Sequence, residues 1–161
     1  MAEWNWRRRL LAATGYLELD MLGDAARELD AVPIEHRESP DVIGIRLSLA
    51  MAVKDWPLAA ELAQHMVTVQ PDEPSWWINL AYSVRRCQSI ELAEEILLQA
   101  AIQHPKEVMI HFNLACYASV TGRLAIASER LQQAIALNPK IRALALEDED
   151  LLPLRESISN L

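Results

Sequence analysis

The chain has 161 residues, 15 of them Lys or Arg and 23 Asp or Glu, for a formal charge of -8, which suits one domain of ordinary core-forming capacity. Apolar residues make up 52% of it, which excludes a disordered polyelectrolyte, and no stretch approaches the roughly 20 uninterrupted apolar residues of a bilayer span. Membrane insertion is therefore not expected, and the acidic balance disfavours nucleic-acid phosphates as partners outside a local basic patch.

The amino end, MAEWNWRRRLL, sets Arg7, Arg8 and Arg9 ahead of only a few apolar residues and lacks a small-residue cleavage site, so export through a cleaved signal peptide is not expected. This basic turn is too short to signal nucleic-acid binding; it orients the first helix, pairs with acidic residues or favours an acidic protein partner. Trp4 and Trp6 either cap this end or support self-association. From residue 6 the chain repeats itself. Prolines stand at Pro71, Pro105 and Pro139, each 34 residues after the last. Small residues recur at Ala25, Ala59, Ala93 and Ala127, and large apolar ones at Leu22, Trp56, Ile90 and Leu124. Further columns read Val32, Met66, Ala100, Ala134 and Ala13, Leu47, Ala81, Ala115. Four copies result, at 6–39, 40–73, 74–107 and 108–141.

Each copy holds two apolar segments of helical length, such as WWINLAYSVRRC and ELAEEILLQAAI, joined by a short polar stretch, so the unit is a helical hairpin. Alanine at the crossing lets its two helices approach closely, and the bulky columns fill the space toward the next hairpin. Trp56 and Trp77 fall in packing positions. One hairpin cannot bury both of its surfaces, so the copies must stack. Beyond them, residues 142–161 form a C-terminal cap: Ile141, Leu144, Leu146, Leu151, Leu152, Leu154 and Ile158 can cover the surface that the last hairpin leaves open. Pro153 breaks this tail into two short helical pieces. The acidic run Glu147, Asp148, Glu149, Asp150 reads as a solvated joint rather than a metal loop.

WWINLA with ELAEEILLQAAIQHP, and HFNLACYASVTGRLAIASERLQQAIALNP, resemble the tetratricopeptide repeat family in their aromatic opening, leucine with a small neighbour, turn, alanine and closing proline. The second copy departs at Leu47, where a small residue is usual, and at Lys54, where glycine often stands. The first carries Asp20 at the glycine position and Arg37 in place of the closing proline. The resemblance covers residues 6–141, and the ending ALALEDEDLLPLRESI looks like the tail of small bacterial members. It implies an all-α fold: a right-handed superhelical stack of about four hairpins forming a single domain over 1–161, with protein recognition as its common use.

A curved stack presents its first helices on one face, and aligning the copies selects the residues expected there. The first copy offers Arg7, Leu10, Leu11, Thr14, Leu17 and Glu18, and the second Asp41, Gly44, Ile45, Ser48 and Met51. Ser75, Ile78, Asn79, Tyr82, Arg85 and Arg86 follow from the third, and Met109, Phe112, Asn113, Cys116, Ser119 and Val120 from the fourth. Tyr82 and Phe112 are candidate apolar anchors, or else pack against a neighbouring hairpin. Arg85 and Arg86 can fork onto carboxylates but point about 100° apart, and pairing with Glu91, Glu94 or Glu95 is the plainer use. Asn79 and Asn113 can donate and accept hydrogen bonds; they either satisfy nearby backbone as part of the repeated WINLA and HFNLA scaffold or, as the resemblance implies, contact peptide main chain. Some family members clamp a client's terminal carboxylate with lysines; Met109 and Asn113 stand where basic residues would be needed, which disfavours that clamp. The chain's own tail also lies within reach of this face.

His36, His65, His104 and His111 form no HExxH element and no ligand set with Cys87 and Cys116; no nucleophile elbow, phosphate loop or dinucleotide fingerprint occurs. Neither an enzyme, a cofactor nor a metal site is expected. Two cysteines make no disulfide framework, which fits a reducing, cytoplasmic compartment. The expected function is a noncatalytic module that binds a protein or peptide client, acidic and partly apolar, with homo-oligomerisation or a small chaperone role as alternatives.

Overall fold

A computed structural model describes the backbone of residues 2–159 and the side chains of residues 6–158. The described chain is helical throughout, with no strand. It divides into two compact units, Met1–Pro71 and Asp72–Leu161. No described helix is long and apolar enough to cross a membrane.

The first unit holds α1 (Ala2–Glu18), α2 (Leu22–Asp30), a 3-10 turn at Ile34–His36, α3 (Pro40–Ala52) and α4 (Trp56–Val69). α1 pairs with α2 and α3 with α4, and α3 packs on both helices of the first hairpin. Ala25 and Ala59 are fully buried at the two crossings, where a methyl group is all the spacing admits. Trp6, Leu10, Ala13, Leu29, Val32 and Val42 form one apolar cluster. Trp6 also stacks on His36, with ring centroids 4.7 Å apart, so it closes the amino end of the core. The side chain of Trp4 lies outside the described residues. Of the basic turn, Arg9 pairs with Glu28 across the hairpin at 3.0 Å, and Arg7 sits over the Trp6 ring. Arg37, in the place of the closing proline, donates to the carbonyls of Val32 and Asp30 at 2.9 and 2.7 Å. It thereby satisfies acceptors that the end of α2 leaves open.

Asp20 and Lys54, each at the turn inside its hairpin, adopt left-handed backbone with φ of 57° and 60°, as Gly122 does with φ of 77°. A non-glycine residue pays about 1–2 kcal/mol there, against about 0.5–1 kcal/mol of extra unfolded-state freedom for glycine. Lys54→Gly should therefore stabilise the chain by about 0.5–1 kcal/mol in urea titration, and Asp20→Gly by less, because aspartate tolerates this region. A lowered stability in Lys54→Gly would contradict the assigned turn.

The second unit holds α5 (Pro74–Cys87), α6 (Ile90–Gln103), α7 (Val108–Val120), α8 (Leu124–Leu137), α9 (Ile141–Glu147), a 3-10 segment at Glu149–Leu154, and α10 (Arg155–Ser159). Pro74 opens α5, where its missing donor costs nothing, and the Ser89 hydroxyl caps α6 by accepting from the Leu92 amide at 3.2 Å. Ala93, Leu97 and Ala100 on α6, and Ala127, Leu131 and Ala134 on α8, are fully buried. They occupy every third or fourth position and so form one face of each helix, turned toward its hairpin partner. Arg123 joins the start of α8 to Glu94 of α6 at 2.7 Å. His111 donates from Nε2 to the Pro105 carbonyl at 2.8 Å, pinning the link between the two hairpins. Trp77 is buried and Trp56 half-buried.

Candidate protein-interaction face

The residues expected on the recognition face fall in both units. In the first, Ser48 is exposed on α3 with its hydroxyl donating back to the Gly44 carbonyl at 3.0 Å, and Met51 is half-buried one turn on. In the second unit, α5 presents Ile78, Asn79, Tyr82, Arg85 and Arg86. Tyr82 is 36% exposed, and the guanidinium of Arg86 lies 3.3 Å from its ring centroid, an arrangement in which the ring quadrupole attracts the cation. Ile78, Asn79 and Arg85 are half-buried.

Arg85 is engaged within the chain. Its guanidinium donates to both carboxylate oxygens of Asp150, at 2.5 and 3.1 Å, and lies 5.1 Å from the Tyr117 ring centroid. The charged form of Arg85 is favoured chiefly by the hydrogen bond to Asp150, which raises its pKa. Of the carboxylates expected to pair with it, Glu94 instead pairs with Arg123.

α7 departs furthest from an open face. Met109 and Asn113 are half-buried, but Phe112, Cys116 and Ser119 are 3%, 3% and 4% exposed. The 3-10 segment Glu149–Leu154 packs along α7, which also packs on α6 and α8, and brings Asp148 and Asp150 beside Cys116. Leu151 and Ile158 are fully buried and Leu154 nearly so, whereas Leu144 and Leu152 remain exposed. The acidic run is thus only in part a solvated joint. Glu147 and Glu149 are exposed, but Asp148 and Asp150 are half-buried; the Asp148 carboxylate accepts from the Asp150 amide at 2.9 Å and starts the 3-10 segment. Burial pushes the Tyr117 phenol up to about 12 and raises the Cys116 thiol as well.

Among the described residues, Cys116, Asp148 and Asp150 form a group whose ligand atoms lie within 4.8 Å of one another. They do not fit a cation: Arg85 already takes both oxygens of Asp150, and burial holds the Cys116 thiol protonated. This arrangement supplies no catalytic constellation.

One further feature has no counterpart among the sequence expectations. On the α6 and α8 side of the second unit lies an open cavity of about 640 Å³ lined by Leu98, Ile102, Leu137, Arg130 and His111. Leu98, Ile102 and Leu137 are exposed at 40%, 82% and 41%. Their signal was apolar residues on the second helices at positions outside the buried columns.

Solved structures match this arrangement of hairpins. MamA aligns with a TM-score of 0.73 at 14% identity, covering 84% of this chain and 80% of that one. A thermophilic TPR protein of Thermus thermophilus aligns with a TM-score of 0.69 at 19% identity, over 97% of this chain and 100% of that one. The fold is of the tetratricopeptide type. MamA from AMB-1 gives a TM-score of 0.67 at 20% identity, over 99% and 92% of the two chains. No protein-family model matches the chain, and no curated protein matches it.

Proposed function

We propose that the chain is a noncatalytic protein-interaction module that takes a peptide or protein surface on the first helices of its hairpins. The observation that carries this reading is the face of α5. Asn79, Tyr82 and Arg86 stand three and four positions apart, so they share one side of the helix. They offer an amide, an aromatic ring and a charged fork at a surface that also keeps an apolar residue, Ile78, half-buried. Such a set suits an acidic and partly apolar segment. The tetratricopeptide-type fold, widely used in protein recognition, supports the reading. The reading includes a reducing, cytoplasmic setting, supported by Cys87 and Cys116 both being free thiols.

The test is affinity capture from native-cell extract with the intact chain and with a Tyr82→Ala, Arg86→Ala variant of equal helicity and size. A stoichiometric partner held by the intact chain and lost by the variant is expected. Equal retention by both, or no specific partner for either, overturns the reading. Self-association that depends on Tyr82 and Arg86 would assign the face to a second copy.

A further inference from the structure

Among the second, third and fourth hairpins, the fourth has its recognition face closed. Cys116 corresponds to Ser48 in the second copy and Tyr82 in the third, both exposed, yet it is buried; Phe112 and Ser119 correspond to Gly44 and Ile78, and to Met51 and Arg85, all half-buried. The covering element is the chain's own segment 148–158. It is seated by a two-pronged Arg85–Asp150 pair and by the 3-10 segment, with buried Leu151 and Leu154, packing along α7, while α10, with buried Ile158, packs back on α9 and on the 3-10 segment. The pair is only about a quarter exposed on each side, 25% and 27%, so it is shielded from salt more than a surface pair would be.

We infer that the α5 and α7 face of the second unit is a receptor for a protein segment in which an acidic residue is followed directly by leucine and, three positions later, by a second apolar residue, and that residues 148–158 occupy it as an internal stand-in. The inference deepens the proposed function and rests on it, because the partner competes for the same face. The tail shows what the face accepts. Arg85 takes the carboxylate, α7 takes the segment that carries Leu151 and Leu154, and exposed Leu152 and Pro153 show that the intervening positions are free to vary. Arg86 adds positive charge beside Arg85, which favours a segment with several acids, as Glu147–Asp150 has. A tethered tail competes at a high effective concentration, so the face answers only a partner whose affinity or local concentration exceeds that of the tail.

The probe is a labelled peptide with the sequence EDEDLLPLRESI, titrated by fluorescence anisotropy into the full-length chain and into full-length Asp150→Asn, Leu151→Ala and Arg85→Ala variants. The rate of Cys116 modification by a thiol reagent reports tail release in each, with Cys87 as internal reference. Asp150→Asn and Leu151→Ala should speed Cys116 modification and tighten peptide binding about tenfold or more over wild type, as removal of a competing occupant requires. Arg85→Ala should also speed Cys116 modification but gain no peptide binding, since it loses the receptor's own arginine. Equal peptide affinity in wild type and in tail-released variants overturns the inference, as does peptide binding restored in Arg85→Ala. Cys116 modification unchanged in both tail variants overturns it too, because the tail would then be no separable element. A wild-type dimer lost in Leu151→Ala would assign the face to the tail of a second copy and not to a separate partner. Failure of any of these leaves capture through Tyr82 and Arg86 unaffected, so the two readings fall separately.

Discussion

A chain ending at Glu147 should melt roughly 5–10 °C below the intact protein and associate as its concentration rises. The tail buries Leu151, Leu154 and Ile158, and each such side chain is worth about 1.5–3 kcal/mol on transfer from water. Ordering the tail opposes much of that gain. A net loss of about 2–3 kcal/mol on truncation corresponds to the stated shift at roughly 2–4 °C per kcal/mol for a chain of this size. Truncation also uncovers the part of α7 on which the 3-10 segment packs, around buried Cys116. Thermal unfolding followed by circular dichroism, with sedimentation across a range of concentrations, reads both effects. A truncated chain as stable and as monodisperse as the parent would show that the tail contributes nothing to the second unit. The single substitution Leu151→Ala should approach the truncation without exceeding it. Once the tail detaches, further loss of its contacts costs the rest of the unit nothing.

The repeat was legible because packing at a hairpin crossing constrains residue size directly. Ala25, Ala59, Ala93 and Ala127 recur at a fixed interval and are all fully buried, so the period in the sequence and the period in the core are the same fact. Turn chemistry was legible too, and at a cost the structure reveals. Asp20 and Lys54 stand where glycine was expected and are held in glycine's backbone region, whereas Gln88 keeps negative φ at -131° and leaves the start of α6 to Ser89. The candidate face was legible only as a face. Alignment selected Arg85 and Cys116 for that face, but nothing local in EDEDLLPL says which helix it will cover. That choice depends on contacts between residues 65 positions apart, such as Arg85 with Asp150. An acidic run reads as solvated when its sequence neighbours alone are considered, and as a ligand once an arginine faces it.

The largest single-residue effect is expected in α6, where two adjacent leucines have opposite surroundings. Leu97 is fully buried, and Leu98 is 40% exposed beside the open cavity. Leu97 lies four residues after Ala93 and three before Ala100, on the face that α6 turns toward its packing partners α5 and α7. Replacing it with alanine removes one methine and two methyl carbons from a fully buried site. The cost is about 2–5 kcal/mol, the spread reflecting how far the surroundings collapse into the void. Leu98→Ala removes the same atoms from a site that water already reaches, and should change stability by about 0.5 kcal/mol or less. Urea unfolding with an unchanged denaturant slope separates the two. Leu131→Ala on α8, at the equivalent position and also fully buried, should behave like Leu97→Ala. If Leu98→Ala proved as costly as Leu97→Ala, α6 would be rotated from its assigned setting, and the periodic alanine face would not be the one at the crossing.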